Sequence, residues 1–109
     1  MSSAECIHLT PAELGERLKS LETARLVDVR EPEEFAAVHV QGAENLPLGQ
    51  VGAMLSAWPR NSEIILLCRS GPRAFEAARR LAAVGFTDLK VVPGGTKACA
   101  EAGLPLVRG

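Results

Sequence analysis

The chain has 109 residues, 12 basic and 13 acidic side chains for a formal net charge of −1, 47% hydrophobic residues and 23% charged ones. That length holds one domain with no room for a second, and a chain of this size buries about two-thirds of the surface it exposes unfolded, enough for a core without metal or disulfide staples. The balance excludes a chain disordered along its length, and with no basic excess, one Trp, three Phe and no Tyr it has no electrostatic or stacking footprint for nucleic acid.

The start, Met1-Ser2-Ser3-Ala4-Glu5, has neither the basic nor the apolar region of a signal peptide. The longest strong apolar run, Ile64 to Cys68, is far short of a membrane span. Both features predict a cytoplasmic protein with no membrane segment. The cysteines are Cys6, Cys68 and Cys99, an odd number with no Cys-x-x-Cys pair, and the histidines are His8 and His39 alone. No metal and no cofactor is expected, and one thiol is expected to be reactive.

In chain order, Ile7-His8-Leu9 reads as a short strand. Thr10 reads as an N-cap, with Pro11 at the first helical position and Glu13 closing a capping box. Leu14, Leu18 and Leu21 follow at helical spacing, which predicts a helix over 11–21. Arg25 to Val29 reads as a strand with Asp28 at its carboxyl end. Glu31-Pro32-Glu33-Glu34-Phe35 opens a short helix with acids in its first turn, as the dipole prefers. Glu44 to Leu46 is a short strand, and 48–57 is a weaker helix ending before Trp58-Pro59. Ile64 to Leu67 is a continuous apolar run, the mark of a strand buried on both faces. Residues 73–84 form an Ala- and Arg-rich helix with Phe75, Ala78, Leu81 and Ala82 on one face, stopped at Gly85. Leu89 to Val92 is the last predicted strand, followed by a Pro93-Gly94-Gly95 turn and a helix over 96–102. Alternating strands and helices predict a three-layer α/β domain with a mostly parallel sheet, its core spanning about 7–107. Ligands of such sheets bind beyond the carboxyl ends of the strands, where Asp28 and Cys68 stand.

Cys68-Arg69-Ser70-Gly71-Pro72-Arg73 joins the most apolar strand to a helix. Amides of the loop and first helical turn have no intrahelical partner, so they can point at the sulfur and favour an anion there. Surroundings of this kind favour the thiolate, which is the nucleophile. Arg69 and Arg73 add charge and forked donors for an anionic substrate, and Gly71 lets the loop turn tightly. Cysteine is among the most buried residue types, so composition alone makes Cys68 an inert strand-end thiol. The small residues, two arginines and helix start that follow favour a reactive, accessible one.

Three stretches together resemble the rhodanese family of sulfurtransferases: Leu26 to Phe35 running on through His39, Gly42-Ala43 and Asn45-Leu46-Pro47; Cys68 to Arg73; and Gly85-Phe86, Val92-Pro93-Gly94-Gly95 and Ala102-Gly103-Leu104-Pro105. The resemblance covers nearly the whole chain in the family's order. It implies a rhodanese-like domain with a five-stranded parallel sheet flanked by helices. It makes Cys68 the nucleophile that holds a sulfane sulfur as a persulfide. Residues Cys68 to Arg73, with Ser70, Gly71 and Pro72 between the arginines, would cradle that sulfur. Arg69 and Arg73 would attract a donor anion such as thiosulfate or glutathione persulfide, and Asp28 and Arg30 would support the fold around the site. The acceptor would be cyanide, a small thiol or the cysteine of a sulfur-carrier protein.

The chain departs from the family pattern at Val38, where Gly is frequent, at Gln41, where Pro is frequent, and at Cys99, where Trp is common. Cys99 could act as a resolving thiol for Cys68, against the plainer reading of an ordinary helix residue. His39 and His8 read as structural, Asp28 as one half of a buried salt bridge with Arg30 or as a turn cap, Arg79 and Arg80 as a solvated face that could dock an acidic partner, and Cys6 as incidental. Two rivals stand beside sulfur transfer. Cysteine-based phosphatases and arsenate reductases place five residues between their Cys and Arg, whereas four separate Cys68 from Arg73. A non-catalytic binding or regulatory module would not need the cysteine and loop that are intact here.

Overall fold

The computed structural model describes residues 7–19 and 24–109, with the backbone alone at 53–56. Cys6 and Leu21 therefore lie outside the described residues. The elements are β1 (Ile7–His8), α1 (Pro11–Lys19), β2 (Arg25–Asp28), α2 (Pro32–Ala37), β3 (Val38–Val40), β4 (Glu44–Asn45), a 3-10 helix (Leu48–Ala57), β5 (Glu63–Leu67), α3 (Pro72–Ala83), β6 (Asp88–Val91), α4 (Gly95–Glu101) and β7 (Leu106–Arg108). Five strands form one parallel sheet in the order β1-β6-β5-β2-β4. β3 and β7 pair antiparallel in a separate ribbon.

Local chemistry accounts for most of these boundaries. Thr10 Oγ1 accepts the Glu13 N–H at 3.1 Å and Glu13 Oε1 accepts the Thr10 N–H at 2.8 Å, the reciprocal bonds of a capping box. Pro72 opens α3, where its missing N–H leaves no bond unmade. The segment 48–57 is a 3-10 helix, not an α-helix; Gly49 and Gly52 weaken its α preference, and Gln50 N–H closes a short turn onto Pro47 O at 2.7 Å.

β5 runs through the middle of the sheet, so its residues are buried on both sides. Alternation divides them. Ile64, Leu66 and Cys68 face a layer built from Ala74, Ala77, Ala78 and Leu81 of α3, with Trp58 and Phe86. Ile65 and Leu67 face the opposite layer, with Leu14 of α1 and Cys99 of α4. The register pairs Asp28 with Leu67 and Leu66 with Val91, so β2, β5 and β6 end side by side. Their three following loops therefore converge at one edge.

Candidate active site

Cys68 is the first residue past β5, and its Sγ accepts the Gly71 N–H at 2.9 Å. That bond needs the chain to reverse within three residues, and Gly71 makes the reversal at φ +125°. A Cβ at Gly71 would lie 2.3 Å from Pro93 O, so the turn is also packed against the loop after β6. On its other side the loop is tied to α4: Thr96 N–H donates to Cys68 O at 2.8 Å and Lys97 N–H to Arg69 O at 3.1 Å. Gly95 permits that approach at φ +61°, where a Cβ would stand 2.2 Å from Cys68 O.

The loop motif predicts an accessible thiol, and here the structure differs: Cys68 is 1% exposed. The alternation of β5 turns its side chain toward α3, and the loop folds over it. Arg69 and Ser70 stand exposed at the rim.

Asp28 and Arg30 are 0% and 4% exposed and form the ion pair that their spacing predicts. Arg30 Nε lies 3.0 Å from Asp28 Oδ1 and Nη2 lies 2.9 Å from Oδ2, a forked arrangement, and Nη2 also donates to Val38 O at 2.5 Å. Asn45 Nδ2 donates to both Asp28 O and Arg30 O at 3.0 Å. Arg30 thus ties the end of β2 to the ribbon, and Asn45 ties the same backbone to β4.

Arg73 is not a free cation. It makes a second fork, Nη1 to Glu34 Oε1 at 2.7 Å and Nη2 to Oε2 at 3.1 Å. Glu34 Oε1 also accepts the Glu31 N–H at 2.9 Å, so one carboxylate caps α2 and holds α3. The Arg73 hydrogen bonds, then the Glu31 amide, bring the Glu34 carboxyl down to about 2. Arg73 is raised in turn, chiefly by its hydrogen bonds to Glu34. Sequence reasoning missed Glu34 as a site residue; its only signal was the acidic first turn of α2.

This clamp has a pH signature. The unfolded carboxyl keeps its ordinary value near 4.5 against about 2 in the folded chain, so between the two the unfolded state binds more protons. Its contribution is fully present above the unfolded value and is lost as pH falls through that window. Both partners are partly exposed, so the contribution is about 1 kcal/mol or less. The stability difference between wild type and Glu34→Gln should be flat above about pH 5.5 and vanish toward about pH 2. Urea unfolding at stepped pH reads it, and a difference that persists unchanged at the acid end would remove the clamp.

Cys99 is 0% exposed, and burial pushes its thiol up to about 11. It packs in the layer on the other side of the sheet from Cys68, and both thiols are free. This placement favours the ordinary helix residue over the resolving thiol. His39 Nδ1 lies 2.7 Å from Phe35 O and its ring stacks on Phe35 at 3.7 Å, a structural role. Arg79 and Arg80 both pair with Glu76 on the exposed face of α3.

A cleft of about 360 Å³ opens beside the loop, with Arg69, Thr96 and Lys97 on one wall and Val38, Leu106 and Arg108 on another. A larger groove of about 630 Å³ runs along α1 to Gly103–Pro105; its lining is mostly apolar and includes no cysteine. No helix among the described residues is long and apolar enough to cross a membrane.

A parallel sheet whose central strand ends in a cysteine, closed over by a loop that returns an amide to the sulfur, defines a cysteine-loop α/β domain. The chain belongs to the rhodanese-like domain family, whose model matches residues 10–102. It is similar to a sulfurtransferase of Allochromatium vinosum, 34% identical over 86% of this chain and 88% of the relative. It is also similar to thiosulfate sulfurtransferase 16 of Arabidopsis thaliana chloroplasts, 38% identical over 74% of this chain and 78% of the relative. Among solved structures, the Alr3790 protein of Anabaena shares the fold with a TM-score of 0.85 at 22% identity, over 92% of this chain and 91% of that one.

Proposed function

We propose that this chain is a sulfurtransferase that carries a sulfane sulfur as a persulfide on Cys68. The observation that carries the reading is the Gly71 N–H on the Cys68 sulfur, in a family whose relatives include named sulfurtransferases. In the first half-reaction the Cys68 thiolate attacks the outer sulfur of a donor such as thiosulfate. A Cys68–sulfur bond forms, the donor's S–S bond breaks, and sulfite leaves with the bonding pair. The persulfide anion keeps the negative charge that the thiolate had, so the same amide serves before and after transfer. The reactive atom now stands about 2 Å beyond Sγ, an S–S bond length from the buried thiol. In the second half-reaction a nucleophile takes that sulfur and returns the thiolate. With cyanide the product is thiocyanate; a small thiol or the cysteine of a carrier protein would give a new persulfide. The thiolate is itself the nucleophile, so no general base is required, and the scheme has ping-pong character.

Arg69 and Arg73 have separate parts in this reading. Arg69, exposed at the rim, draws the donor anion. Arg73, held by Glu34, fixes the start of α3 against α2 beside the loop. Ser70 and Pro72 shape the loop, and Asp28 and Arg30 brace it.

Intact-protein mass spectrometry after incubation with thiosulfate tests this. One sulfur atom should add to the wild type and to Cys99→Ser, should not add to Cys68→Ser, and should leave on treatment with cyanide. If neither thiosulfate nor glutathione persulfide adds sulfur to a folded wild-type chain, the reading fails. Turnover of p-nitrophenyl phosphate by the same sample would then put a phosphatase in its place.

A further inference from the structure

The chain's 12 Lys and Arg all lie in the described residues. Eight of them form ion pairs with carboxylates. Arg60 lies over the Phe86 ring and donates to Val84 O. The remaining three, Arg69, Lys97 and Arg108, have no carboxylate partner among the described residues, and all three line the cleft beside the cysteine loop. They arrive there from separate elements: the loop after β5, α4 and β7. The one carboxylate in the lining, Glu34, is occupied by Arg73, and the fourth cation, Arg30, is neutralised by Asp28. In the same lining Thr96 carries a buried hydroxyl with no hydrogen-bond partner among the described residues. A chain of net charge −1 thus brings three cations with no described carboxylate partner to one concave place.

Thiosulfate is too small to use all of this. It has one anionic group, directly bonded to the sulfur it gives up, and Arg69 at the loop suffices for it. A cleft of about 360 Å³ lies at the lower end of the sizes that hold small organic ligands. We propose that Lys97 and Arg108 form a carboxylate subsite, and that the preferred sulfur donor is a small peptide-like persulfide whose carboxylates lie remote from its sulfur. This rests on the sulfur-transfer reading and names the substrate class of that same site. The Cys68 thiolate attacks the outer sulfur of R–S–SH, the donor's S–S bond breaks, and RS⁻ leaves with the bonding pair. The proton stays on the transferred sulfur, so thiolate and donor become Cys68 persulfide and thiolate product with no other reactant.

The test compares glutathione persulfide with thiosulfate as donors to wild type and to the Lys97→Gln/Arg108→Gln double variant, with cyanide as acceptor. The ratio of kcat/KM for the persulfide to that for thiosulfate should fall roughly tenfold or more in the double variant, the size of a lost charge-assisted hydrogen bond. The fall should appear in KM and weaken as salt screens the exposed cations. Arg79→Gln, on the far face of α3, should leave the ratio where it was. A ratio unchanged in the double variant, whether both donors suffer together or neither does, overturns the subsite. A second readout needs no chemistry: S-methylglutathione, followed by NMR titration, should bind the wild type roughly tenfold tighter than the double variant. Equal binding, or none at up to about 10 mM, overturns the proposal. A wild type that accepts sulfur from neither donor yet binds this probe through Lys97 and Arg108 sinks the transfer reading and keeps the subsite.

Discussion

Gly95→Ala should destabilise the domain by about 3 kcal/mol, with a fall in Tm of roughly 10–20 °C. Two costs combine at this position. The backbone is in the left-handed region at φ +61°, which a β-carbon disfavours. The added carbon would also stand 2.2 Å from Cys68 O and 2.7 Å from Arg69 O, the two carbonyls that accept the Thr96 and Lys97 amides of α4. These are backbone atoms, so no side-chain rotation relieves the clash. α4 must back away, and the Cys68 loop loses the support that sets its carbonyls. Sulfur uptake should fall with stability, and thermal unfolding monitored by circular dichroism beside the mass assay reads both. A Tm within a few degrees of the wild type would show that the loop and α4 are not held by this contact.

Asp28→Ala should cost about 3–5 kcal/mol, the range for stripping one partner from a buried ion pair. That is a large part of the roughly 5–15 kcal/mol that a domain of this kind has in total. Arg30 would keep its bond to Val38 O and lose all its bonds to carboxylate oxygens while still 4% exposed. The loss comes from the charge left behind more than from the pair's own attraction. Asp28→Ala/Arg30→Met should therefore recover much of it, because no unpaired charge remains. Urea unfolding of the single and double variants separates these cases. A double variant no more stable than Asp28→Ala would mean that the carboxylate matters chiefly for the Arg30 N–H, which donates to Asp28 Oδ1 at 3.0 Å, not for the guanidinium.

How much of this was readable beforehand follows the range of each interaction. The capping box at Thr10 and Glu13, the proline start of α1 at Pro11, the stop at Gly85 and the apolar run of β5 all depend on residues within a few positions of each other. Each was legible and each forms. The same holds for Cys68 at a strand end, and for the pairing of Asp28 with Arg30 two residues on. The sequence marks 48–57 as a weaker helix, and a helix forms there; its 3-10 geometry is not written in the hydrophobic spacing, which barely separates the two kinds. β3 and β7 went unread because each is three residues long and has meaning only when paired, Val38 with Arg108 and Val40 with Leu106.

The amino-acid sequence by itself thus determined the parallel α/β architecture, the cysteine at the end of its central strand and the arginine-bearing loop that follows. Only the tertiary structure decided that Cys68 is covered, that Cys99 sits across the sheet from it, that Glu34 holds Arg73 from 39 residues away, and that Arg69, Lys97 and Arg108 meet at one cleft. The physical reason is common to all four. Strand and helix periodicity are written in neighbouring residues, but which side of a sheet a side chain meets, and which charges converge beyond its edge, depend on strand order and register, and these are set by the packing of the whole domain.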